Sequence, residues 1–114
     1  SQIVADALYQ IGRGFAMEEN FVRAIEFFER VHTEFPDSPI AADALSQSAS
    51  AFSRVNKPRE AVARYQKIIE KYPEYVNLNR AYLNIVDVLR DAGSNAEALK
   101  WTQRTQEAFR GKLP

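Results

Sequence analysis

The stretch AIEFFERVHTEFP, residues 24–36, returns 37 positions later as AVARYQKIIEKYP, residues 61–73. Both versions begin with Ala, carry an aromatic residue four positions on, and end in an aromatic residue followed by Pro. A third version starts at Ala98 and keeps its later aromatic residue at Phe109. One common offset therefore indicates an internal repeat, which has to be interpreted before any local motif.

The same offset aligns residues outside this stretch, including a set of three alanines at positions 7, 44 and 81. Three copies are defined in this way, covering roughly residues 2–37, 38–74 and 75–112. Together the three copies cover almost the whole chain, so we predict a single domain over residues 1–114. Because its first residues already fall inside a helical pattern, we expect the chain to be part of a longer protein.

Within each copy the apolar residues recur at the spacing of an α-helix. The predicted core positions of first helices are Val4, Leu8, Ile11 and Phe15, and Leu78, Tyr82, Ile85 and Leu89. Those of second helices are Ala24, Phe28, Val31 and Phe35, and Ala61, Tyr65, Ile68 and Tyr72. One helical hairpin cannot bury both of its apolar faces, so the copies must stack. We predict an all-α solenoid of three helix-turn-helix repeats, with six antiparallel helices in a right-handed superhelix.

Capping signals place the helix ends. Ser94 followed by Glu97 predicts a capping box. Pro58 and Pro39 are each predicted to occupy a first helical position, where the missing N–H costs nothing. Gly93 and Gly111 are expected to supply left-handed residues after helices. We expect turns of two to four residues between helices of ~13 to 17 residues.

Composition excludes several functions. The chain has 114 residues, 15 Lys and Arg against 15 Asp and Glu, one His and no Cys. A net charge of zero argues against a nucleic-acid partner, and no apolar run is long enough to insert directly into a membrane. The single His32 cannot build a multi-histidine metal site, and we expect it at the surface or between helices. No phosphate loop or nucleophile-base pair is visible, so we predict no catalysis, no metal and no cofactor.

The order Leu8-x-x-Ile11-Gly12-x-x-Phe15, followed by Ala24-x-x-x-Phe28 and Pro36, resembles the tetratricopeptide repeat. The resemblance covers the whole chain and implies a protein-protein interaction module. Copy three departs most from the pattern, with Thr102 in place of an aromatic residue and Arg110 in place of the final Pro.

The period of 37, longer than the family's usual 34, is similar to that of repeats in bacterial cell-envelope proteins. These include the periplasmic coordinator of the Tol-Pal system, the outer-membrane-assembly lipoprotein and helical regions of lytic transglycosylases. This likeness implies the periplasm or cell envelope, although a cytoplasmic location stays open.

The repeat geometry predicts a concave wall formed by the exposed faces of the three first helices. We call this set the concave face: Asp6, Tyr9, Arg13, Met17, Asp43, Gln47, Ser50, Arg54, Arg80, Asn84 and Asp87. Its mixed charge and its Tyr and Met suit an extended peptide or a partner helix. An ordinary solvated surface is the other interpretation. A clamp of the kind that chaperone-binding members use is not predicted, because Tyr9 stands where the clamp lysine is expected.

Two further predictions concern the other side of the chain. Arg64 and Lys67, on a second helix, are expected to face solvent. Trp101, with Phe109 and Leu113, either packs within copy three or forms a docking face for a further helix. The main functional hypothesis is a non-catalytic module that binds a protein or peptide partner; the alternative is a helical scaffold region of a larger envelope enzyme such as a lytic transglycosylase. The oligomeric state is not predicted.

Overall fold

The computed structural model describes residues 1–112 and contains six α-helices. They are α1 (Gln2–Met17), α2 (Phe21–Glu34), α3 (Ala41–Arg54), α4 (Pro58–Lys71), α5 (Leu78–Asp91) and α6 (Asn95–Ala108). Each helix packs against the next one along the chain, and the described residues contain no strand. The predicted all-α solenoid of three helical hairpins in a right-handed superhelix is confirmed. No helix in residues 1–112 is long and apolar enough to cross a membrane.

The turns inside the hairpins share one unusual backbone conformation. Glu19, Asn56 and Gly93 lie 37 residues apart and all have positive φ, at 61°, 61° and 80°. In each case the next amide donates back across the end of the first helix, as from Ser94 N to Leu89 O at 2.8 Å. This bond closes the helix in the manner of a Schellman motif. Gly93 was predicted for this role; the other two turns use residues without glycine's conformational freedom.

The turns between repeats are longer than the two to four residues predicted. They span residues 35–40 and 72–77, six residues each. Pro39 is not the first residue of α3, contrary to the sequence prediction, because the chain is still turning there: Ser38 Oγ accepts a hydrogen bond from Ile40 N at 3.2 Å. Pro58 does begin its helix, as predicted. Gly111 has φ of 73° and follows the end of α6 by three residues.

The predicted capping box at Ser94 does not form. Ser94 is the N-cap of α6, but its side chain makes no capping hydrogen bond. Arg59 of α4 takes both partners instead, donating to Ser94 Oγ at 3.2 Å and to both carboxylate oxygens of Glu97 at 2.8 Å. A guanidinium offers several donors in a fixed plane, so it engages the carboxylate with two bonds at once.

The core lies between the two layers of helices, and small residues allow the helices to approach closely. Ala24 and Ala61 are fully buried, as predicted. At Gly12 a Cβ would lie only 2.8 Å from Phe28 Cε1, so the α1–α2 crossing excludes any side chain there.

The core prediction is wrong for part of α1. Ala5, Leu8 and Gly12 are its buried residues, whereas Val4 and Ile11 are exposed. They lie on the side of α1 that faces away from the core. In α5, Ile85 and Leu89 are buried as predicted.

Candidate functional site

The concave face is the part of the first helices that packing leaves open. In α3 the buried residues cover most of the helix surface: Ala41, Ala42, Ala44, Leu45, Ser48, Ala49, Ala51 and Phe52. Gln47, Ser50 and Arg54 remain exposed on one side of that helix, separated by three or four positions. Residues at this spacing share one face of a helix. The packing of α3 therefore leaves one polar strip of this helix exposed, beside the sides that are buried by apolar contacts.

Tyr9 of α1 packs against α2 within this face. Its ring lies 5.6 Å from that of Phe28, and the side chain is half-buried. Burial raises the pKa of Tyr9, and the negative charge of Asp43 raises it further. The side chain of Gln47 and the nearby positive charge of Arg13 act on this pKa in the opposite direction. Four of the predicted residues, Tyr9, Arg13, Asp43 and Gln47, are thus brought together.

Tyr75, in the turn before α5, holds Asp43 in place. Its hydroxyl donates to Asp43 Oδ1 at 2.7 Å. Burial, and then the hydrogen bond to Asp43, raise the pKa of Tyr75 to about 12. The hydroxyl therefore stays protonated near neutral pH and keeps donating. Sequence reasoning missed this residue, although a tyrosine directly after the aromatic-Pro-acid segment that ends each of the first two copies was a visible signal.

The third repeat supplies a second group. Arg80 Nη2 donates to Asn84 Oδ1 at 3.3 Å, and Asn84 Nδ2 donates to the hydroxyl of Tyr65 at 3.4 Å. Tyr65 is buried in α4, and burial raises its pKa. Asn84 is thereby held against α4, while Arg80 stays exposed to solvent.

The remaining predicted residues are placed separately. Met17 is 82% exposed at the end of α1. Arg54 pairs with Glu19 at 3.4 Å and lies 4.6 Å from the centre of the Phe21 ring. Asp87 pairs with Arg90 of its own helix at 3.3 Å. Asp6 accepts from Gln2 at 2.7 Å. None of these contacts connects its residue to Tyr9.

Arg13 and Arg80 are the cations of this face that retain their hydrogen-bonding capacity. Arg13 donates to Gln10 at 3.5 Å and Arg80 to Asn84, and within residues 1–112 neither has a carboxylate oxygen within 4.0 Å. A guanidinium with open donors suits the carboxylates or carbonyl groups of a bound segment. The described residues contain no group of three His, Asp or Glu side chains that could hold a metal ion.

Sequence reasoning missed a polar cluster that joins α2 to α3 and α4. Glu29 accepts from Ser48 Oγ at 2.6 Å and from Arg64 Nη2 at 2.7 Å, and His32 Nε2 lies 2.7 Å from its carboxylate. These hydrogen bonds outweigh burial and lower the pKa of Glu29 to about 2. Lys67 Nζ lies 3.2 Å from His32 Nδ1.

Two sequence predictions are therefore wrong. Arg64 and Lys67 are partly buried between helices because they have partners on α2, so neither is a plain solvent-facing residue. His32 is only 3% exposed and has the inter-helix role that was one of its two predicted options. The cluster gives no binding site, since its polar atoms already have partners in the protein.

Trp101 packs inside the third repeat. Its ring lies 6.1 Å from that of Tyr82, and Phe109 lies 5.3 Å from the same ring. The core contact, one of the two predicted options, is thus present, and Trp101 stays half-exposed beside an open groove of about 780 Å³ between α4 and α6. Leu113, the third residue of that prediction, lies outside the described residues.

The fold and the exposed residues of the first helices define a helical-repeat protein whose first helices leave polar side chains open. The family model for the tetratricopeptide repeat matches residues 6–38 and 43–75, and the chain belongs to this family. The two matches begin 37 residues apart, which agrees with the repeat found in the sequence.

Solved structures show the same fold. Two crystal structures of MamA superpose with TM-scores of 0.82 and 0.79, each at 23% sequence identity over 98% of this chain. The chain spans 58% and 62% of the length of those two proteins. No curated protein sequence matches the chain.

Proposed function

We propose that this chain is a non-catalytic interaction module whose concave face binds an extended peptide or a helix of another protein. Tetratricopeptide repeats generally mediate protein-protein interactions. The observation that carries the proposal is the packing of α3, which buries its other sides but leaves Gln47, Ser50 and Arg54 open in one strip.

The chemistry of the face supports the same proposal. Tyr9 offers a ring already fixed against Phe28, so binding costs it little conformational freedom. Arg13 and Arg80 offer donors without carboxylate partners among residues 1–112. Aromatic and Arg side chains are the types that dominate the energetics of interfaces. A bound segment with acceptor groups facing these two arginines would satisfy them.

The test begins with capture of a partner by the purified chain, followed by mass spectrometry and calorimetric titration of the recovered protein. Arg80→Ala is expected to weaken binding by ~1 kcal/mol or more, about fivefold, with little change in folding. Tyr9→Phe keeps the ring on Phe28 and removes only the hydroxyl, so it separates binding from core packing. Arg30→Ala, an exposed arginine of α2, is the matched control and should bind like the wild type.

The proposal fails if Arg80→Ala binds with unchanged affinity while Arg30→Ala weakens the complex. That ranking would move the partner to the second helices. If all three variants bound the partner as tightly as the wild type, neither of these surfaces would be the binding site.

We also propose a bacterial periplasmic or envelope location, supported only by the resemblance of the 37-residue period to repeats of envelope proteins. Fractionation of cells that express the native gene, with immunodetection of the chain, tests this. Recovery in the cytoplasmic fraction would overturn it.

A further inference from the structure

His32 lies buried between α2 and α4, and both of its ring nitrogens have partners. Nε2 lies 2.7 Å from a carboxylate oxygen of Glu29 on the same helix, and Nδ1 lies 3.2 Å from Nζ of Lys67 on α4. His32 belongs to the first repeat and Lys67 to the second. The contact between them is therefore part of the joint between these two repeats.

The two partners determine where the ring carries its hydrogen. An ammonium group has donors only, so Lys67 bonds to Nδ1 only when that nitrogen offers a lone pair. Glu29 is ionised near neutral pH, because its hydrogen bonds lower its pKa to about 2. An ionised carboxylate only accepts, so the hydrogen of the ring lies on Nε2 and is donated to Glu29. This arrangement requires a neutral imidazole.

Uptake of a proton by His32 disturbs one of its two contacts and keeps the other. The new hydrogen lies on Nδ1, so two positively charged donors then face each other across 3.2 Å. The bond to Glu29 persists and becomes a contact between opposite charges. Arg64 of α4 bonds to the other oxygen of this carboxylate at 2.7 Å, and α3 contributes the uncharged Ser48 to the cluster. Lys67 therefore has to leave the ring, while Arg64 keeps its partner.

The charges of Glu29 and Arg64 stay constant while an imidazole titrates. Histidine ordinarily changes charge between about pH 5 and 8, far above the pKa of about 2 for Glu29. The Arg64 guanidinium stays charged throughout this range. A change in this joint near neutral pH is therefore a change of His32.

The joint between the second and third repeats has different chemistry. The positions 37 residues after Glu29, His32 and Lys67 are occupied by Gln66, Ile69 and Arg104. Arg104 lies 4.5 Å from the centre of the Trp101 ring. None of these three side chains gains or loses a proton near neutral pH. The titrating contact is thus specific to the first joint.

We propose that His32 and Lys67 form an acid-sensitive contact between the first and second repeats, closed while His32 is neutral and opened when His32 takes up a proton. With the contact open, the Glu29–Arg64 pair still ties α2 to α4, but the joint has lost one of its two polar links. The solenoid thereby responds to acid at one joint and not at the next. The proposal does not depend on binding at the concave face.

Nuclear magnetic resonance tests the state of the ring directly, because His32 is the only histidine of the chain. While the ring is neutral, correlations between its carbon-bound hydrogens and its nitrogens should show the hydrogen on Nε2 and a bare Nδ1. A hydrogen on Nδ1 would overturn the proposal. So would a ring that stays neutral until the chain unfolds.

Thermal melts of a lysine variant test the release of Lys67. Lys67→Met removes the ammonium group and keeps an unbranched side chain, so its melting temperature should lie below that of the wild type while His32 is neutral. This difference should shrink as the resonances show His32 taking up its proton. Lys71→Met, which changes an exposed lysine of the same helix, is the matched control. Its difference from the wild type should not follow the titration of His32.

A variant without a titrating ring separates this contact from general effects of acid. In the background of His32→Gln, the effect of Lys67→Met should not depend on pH over the same range. Circular dichroism establishes that each variant is folded, and the comparison of the wild type with Lys67→Met stands without this background. Two further results would overturn the proposal: a Lys67→Met difference that stays constant through the titration, or one that changes equally in His32→Gln.

Discussion

Glu29 of α2 and Arg64 of α4, 35 residues apart, form a half-buried ion pair with 2.7 Å between Oε1 and Nη2. The guanidinium also pairs with Glu60 at 3.1 Å and lies 4.6 Å from the centre of the Phe52 ring. This one side chain therefore ties the second helix of the first repeat to both helices of the second repeat. Removal of the Arg64 side chain should weaken the packing between the repeats more than the packing within each hairpin.

Replacing the Glu29 carboxylate should destabilise the fold. Glu29→Gln leaves Arg64 half-buried without its main partner, so we expect a loss of about 1–3 kcal/mol in the free energy of unfolding. Urea denaturation measures this loss. Glu34→Gln is the control, because Glu34 is an exposed residue of the same helix whose partner, Arg30, is also exposed. An equal loss in the two variants would show that the Glu29 pair contributes nothing beyond a surface contact.

The same carboxylate predicts a pH dependence. Folding lowers the pKa of Glu29 from 4.5 to about 2, so ionised Glu29 stabilises the folded state. This stabilisation is fully present above pH 4.5 and is lost as the pH falls through about 2. In thermal melts between these pH values, the difference in melting temperature between the wild type and Glu29→Gln should shrink as the pH falls. A constant difference would contradict the lowered pKa.

Two glycines of α1 should respond oppositely to the same substitution. Gly12→Ala places a methyl group 2.8 Å from the Phe28 ring, so the helix crossing must open, at a cost of about 1–3 kcal/mol. Gly14→Ala meets nothing within 4 Å and should stabilise the helix by about 0.5–1 kcal/mol. Thermal or urea unfolding of both variants checks the prediction. A loss of similar size in each would refute the close crossing.

Overpacking at the second crossing should also be costly. Ala61 is fully buried, and Ala61→Phe forces α3 and α4 apart, with an expected loss of about 1–3 kcal/mol or more. Ala63→Phe, two positions away on the exposed side of α4, is the matched control and should change stability by less than ~0.5 kcal/mol. If the exposed site proved the more sensitive, the inward face of α4 would be misassigned.

The helices of this protein and their order follow from the sequence alone. The recurrence of Ala24, Ala61 and Ala98 at one offset defines the repeat, and helical spacing around each alanine defines the second helices. These signals are local or strictly periodic, so they can be read without knowing which residues meet. The Arg and Asn positions of the concave face follow from the same periodicity, whereas their function stays a prediction.

Only the tertiary structure decided which apolar residues are covered and which charges meet. Val4 and Ile11 match the pattern of a core stripe, yet they are exposed, because burial requires a neighbouring helix and none formed by residues 1–112 packs on that side. Arg59 displaces the predicted capping box at Ser94 from 35 positions away. The low pKa of Glu29 comes from His32 on its own helix together with Arg64 and Ser48 on two other helices. Such contacts depend on how helices are placed in space, and a periodic pattern along the chain does not contain that information.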